Sequence, residues 1–540
     1  MRFYLKADNS IKMNNKKVQV WFPILFAIVM IVGMALGYKL KENTTGSNFF
    51  KPLKSNSLQE VLRLINAKYV DKINIDSLEG KAIEEVLKQL DPHSAYIPPV
   101  DLSQLNEEMK GSFEGIGVEF QFYNDSVHVM NVIPDGPAFK AGLLIGDCII
   151  TVNDSISITD KNIEADKIRS LLKGPGGSLV KVEIIRNHQK ISKTIKRGII
   201  PLKSCDADFM LDSITGFIHL NRFAESTYIE FMMALERLQK QGMKKLVLDL
   251  RNNGGGLLSK AVAIADEFLD EDKLVVYTEG VKSPKYEYKC RKEGLFEKGD
   301  LVVLIDESSA SASEVLAGAL QDWDRATIVG RRSFGKGLVQ DQYTLSNGAG
   351  LRLTIARYYT PLGRNIQKPY DNGQNAYNKE IIDRLENGEL ESIDSLKNTG
   401  KVFTTSKGKK VYGGGGITPD YFVALDTSMY HSNLSKLYTK STFSKFALSY
   451  YLQNNNYFKS FSTINKFYQT FSVSDTDISN LLTQARKDSL QILNFSEKEK
   501  IEIKQRLKNQ IARFIWKSSG FYQSVSYTDD VIKKALEVIQ

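Results

Sequence analysis

A continuous apolar run, Leu301 to Ile305, stops at a loop of alternating serine and alanine, and this junction constrains the chain more than any other stretch. Five apolar residues in a row, with no polar alternation, predict a strand buried on both faces, which calls for a layered α/β fold. The loop Ser308 to Ser313 precedes a helical pattern carrying Val315, Leu316, Ala319 and Leu320. A second short strand, Ala326 to Gly330, leads to a lysine between glycines, Phe334-Gly335-Lys336-Gly337. A strand that ends at a helix N-terminus leaves backbone N–H groups without helical partners and partly positive. Such a junction suits a nucleophile whose attack creates an oxyanion. Ser311 with Glu314 three residues later also reads as a capping box, which needs no catalysis to explain it.

A serine hydroxyl is a weak nucleophile until a base removes its proton. A lysine can be that base only when its amine is neutral, and burial in a water-poor site favours the neutral form. Ser311 and Lys336 therefore form a coherent pair. The competing base in a Ser-His-Asp triad would be one of five histidines: His93, His128, His188, His219 or His431. His219 sits in a strand pattern, Gly216 to Leu220, and reads as a packed histidine rather than a base.

The run Ser309-Ala310-Ser311-Ala312-Ser313-Glu314, with Gln321-Asp322, Gly330, Phe334-Gly335-Lys336-Gly337 and Gln340, resembles the C-terminal processing (tail-specific) serine peptidases. The resemblance implies that Ser311 is the nucleophile and Lys336, 25 positions on, the general base. It further implies that Gln340 orients the amine and that Asp322 supports the site from nearby. Asp249-Leu250-Arg251-Asn252-Asn253-Gly254-Gly255-Gly256 resembles the family's turn beside the nucleophile. That implies an oxyanion hole made by the N–H of Gly254 or Gly255 together with the N–H of Ala312. The glycine run has neither the G-x-G-x-x-G spacing nor the lysine of a phosphate-binding loop, so a nucleotide site is excluded. Further phrases, Leu90 to Tyr96, Tyr359 to Gln367 and Val411 to Asp420, extend the resemblance over about 58–425.

Between 111 and 198 the pattern changes to short strands, Val127 to Val132, Cys148 to Val152 and Val180 to Ile185, with a helical stretch at Ile163 to Leu172. Together with Leu172-Lys173-Gly174-Pro175-Gly176-Gly177, this resembles a PDZ domain of the processing-protease type. Gly115, Ile116, Gly117 and Val118 then become the candidate cradle for a chain-terminal carboxylate, with the peptide adding as a strand to the sheet edge. A tight strand-to-strand turn would explain an isolated G-x-G equally well.

At the N-terminus Lys16 and Lys17 precede an uncharged, mostly apolar run, Val20 to Tyr38, close to the ~20 residues that span a bilayer. The run exceeds the ~7–15 residue core of a secretory signal and has Trp21 and Tyr38 near its ends, which favours an uncleaved anchor. Cleavage after Gly37, or a buried core helix, are the other readings. The net charge of +9 is spread over 72 basic and 63 acidic residues with no block of five like charges, so no nucleic-acid partner is expected. Cys148, Cys205 and Cys290 are far apart and form no CxxC, which removes support for zinc or dithiol chemistry. No metal and no cofactor is expected.

The expected organisation is a cytoplasmic N-terminus (1–17), a transmembrane anchor (18–38) and a linker (39–57). A helical N-terminal region (58–110), the PDZ domain (111–198), an α/β peptidase core of the tail-specific type (199–430) and a helical C-terminal extension (431–540) follow. An irregular loop is expected at 368–402. The expected protein is a single-pass endopeptidase of the inner membrane with its catalytic part in the periplasm, acting on polypeptides with accessible C-termini. Self-association or an activating partner is left open. The alternative of another class is a catalytically silent PDZ scaffold or chaperone-like binder.

Overall fold

The structure is a computed structural model that describes residues 16–43, 57–123, 126–154, 156–159, 163–392, 400–427, 430 and 432–539. Most of the expected cytoplasmic N-terminus (1–15), the linker from 44 to 56, and His431 lie outside the described residues. Two compact units divide the chain at residue 82.

In the first unit a helix covers Lys16–Asn43, and its described side chains from 23 to 39 are exposed, among them Ile24, Leu25, Phe26, Val29 and Ile31. That stretch falls short of the ~20 apolar residues of a bilayer crossing. Among the described residues no helix is long and apolar enough to cross a membrane. A second helix is Ser57–Lys68.

The second unit is built on a six-stranded sheet whose strands follow one another in chain order: β1 (Cys205–Met210), β2 (Thr215–Leu220), β3 (Lys245–Asp249), β4 (Asp300–Ile305), β5 (Thr327–Gly330) and β6 (Tyr421–Phe422). β1 is antiparallel to β2 and all other pairs are parallel. Alternate residues along a strand face opposite sides. Leu246, Leu248, Leu301, Val303 and Ile305 meet helices α1 (Thr227–Lys240), α2 (Leu258–Ala265) and α3 (Ala312–Asp322) on one face. Val247, Val302, Leu304, Phe217 and Val329 face the other side. That side is covered by Val531, Ile532 and Ala535 of a helix near the C-terminus, so the apolar runs of β3 and β4 are buried twice over.

A smaller sheet lies beside the core. Leu338–Thr344, which follows the F-G-K-G loop, pairs with Gly350–Tyr359, and Gly350–Tyr359 also pairs with Ala95–Ile97 and Leu274–Gly280. The expected irregular loop at 368–402 holds a helix, Gly373–Glu386, a correction to the sequence reading. Its buried face consists of Tyr377 and Arg384, so no apolar period announces it. Arg384 donates to the carbonyls of Arg332 (3.1 Å), Ser333 (2.9 Å) and Phe334 (3.3 Å), backing the loop that carries Lys336.

The PDZ-like module has a sheet of Val118–Tyr123, Ser126–Val132, Cys148–Val152, Leu179–Arg186 and Gln189–Lys196, with the helix Ala165–Leu172 packed on it around its own core. The Gly115-Ile116-Gly117 stretch separates two strands, Ser112–Gly115 and Val118–Tyr123. Ser112–Gly115 turns away and pairs with Gly198–Pro201 at the base of the module. The C-terminal region from Asn433 is helical, with an aromatic-rich core of its own that packs on Met130 and Ile145 of the PDZ-like module. Its longest helix, α4 (Glu497–Ser526), is interrupted at Lys517 and is followed by α5 (Asp530–Val538).

Candidate active site

The carboxyl ends of β3 and β4 are where loops can meet in a sheet of this topology. β4 ends at Ile305, and Asp306 organises the next turn by accepting from the N–H groups of Asn252 (3.0 Å) and Ser309 (3.1 Å). Ser311 then starts α3 in a conformation, φ 56° and ψ −115°, that L-residues avoid. Holding a side chain there costs on the order of 1–3 kcal/mol, and the effect is to raise the serine out of a sharp strand-to-helix turn. Ser311 and Glu314 sit as a capping box, with the Glu314 carboxylate accepting from the Ser311 N–H at 2.8 Å. The Glu314 N–H lies 2.9 Å from the Ser311 carbonyl oxygen.

Glu314 has a second task that its place in the sequence does not announce. Its carboxylate is buried and accepts four hydrogen bonds: from Ser333 Oγ (2.6 Å), Gly335 N–H (2.6 Å), Ser311 N–H (2.8 Å) and Lys336 N–H (2.8 Å). The last two reach the same oxygen, Oε2, so the backbone nitrogens of Ser311 and Lys336 lie no more than about 5.6 Å apart. Burial pushes the Glu314 carboxyl above its ordinary range, against the pull of these four donors. The buried Tyr358 hydroxyl adds a second staple, lying against the carbonyls of Ser311 (3.2 Å) and Lys336.

Lys336 is partly buried in the wall of a cleft of about 520 Å³ that is also lined by Ser311, Ala312, Gly254, Gly255, Gln340, Arg352 and Tyr358. Its amine makes no hydrogen bond or ion pair among the described residues. Desolvation lowers its pKa below the ordinary 10.5, and the positive charge of Arg352 lowers it further, against weaker pulls from Glu314 and Asp91. Gln340 shares the cleft, and its amide donates to Thr354 Oγ1 at 3.5 Å rather than to the amine. Thr354 in turn donates to Asp91 (3.0 Å), which is how the Asp91-Pro92-His93-Ser94 phrase comes to lie behind the lysine.

The glycine turn after β3 meets the nucleophile loop directly. A Cβ on Gly255, whose φ is +95°, would sit 2.6 Å from the Ala310 carbonyl oxygen and 2.8 Å from the Ser311 Cβ, so only glycine fits. Its N–H is taken by the Asn253 side chain at 2.9 Å. The N–H groups of Gly254 and Ala312 have no acceptor among the described residues, and Gly254 is exposed to the cleft. Asn253 ties the turn to the serine loop: its carbonyl accepts from Ala310 N–H (3.0 Å) and Ser313 Oγ (2.9 Å).

Two of the residues singled out lie elsewhere. Asp322 closes α3, 11 residues and hence about 16 Å along the helix from Ser311, where it pairs with the buried Arg364 at 2.6 Å and accepts from Leu362 N–H at 3.0 Å. Its support is architectural, not local to the cleft. His219 pairs with Asp206 at 2.7 Å, stacks on Tyr522 and does not line the cleft. The sequence reading did not assign Tyr358, Arg352 or Asn253. Glu314 had one visible signal, the S-x-x-E spacing, but that signal pointed only to a helix cap.

In the PDZ-like module Ile116, Gly117 and Val118 line a groove of about 290 Å³ with Phe113, Phe120 and Leu172. Gly115 is the buried last residue of the preceding strand.

An α/β sheet with a strained serine at a helix start, a lysine of lowered pKa in the same cleft and an appended peptide-binding module defines a serine hydrolase acting on polypeptides. Family models for peptidase family S41 match residues 214–371, a PDZ domain 115–196, and a family of unknown function 433–517. A probable CtpA-like serine protease of Staphylococcus epidermidis is 32% identical over 67% of this chain and 74% of its own. A carboxy-terminal-processing protease of Bartonella bacilliformis is 35% identical over 57% of this chain and 71% of its own. Among solved structures, the photosystem II D1 C-terminal processing protease is 32% identical and covers 57% of this chain and 83% of its own, with a TM-score of 0.33. The chain belongs to peptidase family S41, as a C-terminal processing serine protease with a PDZ domain.

Proposed function

We propose that cleavage runs through a Ser311–Lys336 dyad. The neutral Lys336 amine takes the Ser311 proton as Oγ bonds to the scissile carbonyl carbon, and the N–H groups of Gly254 and Ala312 hold the resulting oxyanion. Collapse breaks the C–N bond, and the ammonium returns its proton to the leaving amine. Water then adds to the acyl-enzyme by the same route in reverse, releasing the new carboxyl end and restoring Ser311. Gln340 turns to the amine and orients it. The observation that carries this reading is the single Glu314 oxygen accepting from the backbones of both Ser311 and Lys336.

The substrate is a polypeptide whose free C-terminus enters the PDZ groove, its carboxylate on the N–H groups about Gly115 to Val118 and its apolar last side chain beside Ile116. A silent scaffold would have no need of a lysine held without a partner beside a strained serine. The run 18–38 anchors the protein in the cytoplasmic membrane with the catalytic part in the periplasm. The outward-facing apolar side chains of the Lys16–Asn43 helix support this.

The test uses an unfolded protein with an apolar tail, carrying either a free or an amidated C-terminus. Parent enzyme is expected to degrade the free-tailed form, with Ser311→Ala and Lys336→Ala at least ~10³-fold slower. The amidated form should show a higher KM. Unchanged cleavage by either variant rules out the dyad, and equal KM values rule out the carboxylate cradle.

A further inference from the structure

The turn that presents Gly254 is gripped from a distant part of the chain. Arg251 places Nε and Nη2 on Asp249 at 2.9 and 2.7 Å, and Nη1 on the two oxygens of Asp529 at 3.1 and 2.8 Å. Asp249 ends β3, whereas Asp529 lies 278 positions beyond Arg251 and caps α5. The guanidinium is therefore clamped between two carboxylates, Asp249 fully buried and Asp529 largely so. Beside the clamp Tyr522 of α4 stacks on His219 with ring centres 4.1 Å apart.

Gly255 and Gly256 are held from the far side by the backbone of Phe223, which donates to the Gly255 carbonyl at 2.9 Å and bridges to Gly256. Gly254 makes no such bond among the described residues and has open space where a Cβ would stand, so its place depends on the residues before it. Asn252 is fixed by Asp306 and Asn253 by the serine loop and the Leu220 carbonyl, both from within the core. Arg251 is the member of the turn fixed from the C-terminal helices.

We propose that Asp529 is a positioning residue for the oxyanion hole: by holding Arg251 it fixes the turn from which Gly254 donates, and the C-terminal helices become part of the catalytic unit. This rests on the assignment of Gly254 made above. An oxyanion donor works by being in place before charge develops, so loss of the clamp should cost turnover more than substrate binding.

Asp529 also caps α5, accepting from Val531 N–H (2.9 Å) and Ile532 N–H (3.1 Å). Asparagine caps helices as well as aspartate, so Asp529→Asn removes the charge while keeping the helix start. In the full chain this variant should lower kcat about tenfold with KM within about twofold. It should weaken a peptidyl boronate, which mimics the tetrahedral adduct, by a similar factor, with the thermal midpoint unchanged. Arg251→Met should show the same kcat and boronate losses, and Asp529→Glu should recover part of both. Parental kcat and boronate affinity in Asp529→Asn overturn the proposal, as does a loss that Asp529→Glu leaves untouched or one matched by a lower midpoint. Unchanged cleavage by Ser311→Ala would instead overturn the reading of the site itself.

Discussion

In the proposed dyad one carboxylate and one amine set the chemistry. Glu314 fixes the two loops, and the proposal requires Lys336 to be neutral when it acts. Its pKa lies below the ordinary 10.5 because burial disfavours the ammonium and because the positive charge of Arg352 lines the same cleft. Activity should therefore rise with pH through that lowered value, as the ammonium loses its proton. Arg352→Gln removes a positive charge, lets the lysine pKa climb back and moves the acid limb to higher pH. At neutral pH we expect kcat/KM to fall about three- to tenfold, with the loss recovered at alkaline pH. A pH–rate profile of the two enzymes checks this, and an acid limb that stays put contradicts it. Stability follows the same sign. A lysine whose pKa is lower in the folded chain favours folding more as pH rises, in the window between its folded value and 10.5.

At the scale of elements, the second face of the sheet depends on α5. Ile532 is 1% exposed and packs among Phe217, Val247, Val302 and Leu304. Ile532→Ala should destabilise the protein by about 2–4 kcal/mol in denaturant titration, whereas a helix merely resting on the surface would cost well under 1. The apolar run Leu301 to Ile305 announced a doubly buried strand without saying what would cover it, because α5 lies more than two hundred residues on. Local patterns of this kind, with the serine-alanine loop and the G-x-G turn, made the core and the PDZ-like module legible and singled out Ser311 and Lys336, which share the cleft. Nothing in the sequence separates Gly254 from Gly255 as the proposed oxyanion donor, since two glycines look alike until the Asn253 side chain accepts from the Gly255 N–H. Gly373–Glu386 escaped notice because its buried face is an arginine and a tyrosine, and Arg251 because its second partner is remote.

At the scale of the molecule, the parts are joined by a few long-range contacts. Arg513 of α4 reaches Glu119 on the PDZ groove strand at 3.0 Å, and the same C-terminal region supplies Asp529 to the turn beside the serine. If the Lys16–Asn43 helix anchors the whole, the protein should stay with membranes through alkaline carbonate washing. Removal of residues 1–41 should release it with dyad activity intact, and full-length protein left in the wash would refute the anchor. The covering of the sheet by α5 also has a consequence in time. Ser311 and Lys336 leave the ribosome roughly 200 residues before α5 exists, a gap of about 10–40 s at ~5–20 residues per second. During that interval the nascent chain carries both reactive side chains on a half-clad sheet, without the Asp529 clamp. Competence to cut thus arrives late in synthesis, only once α5 has been made.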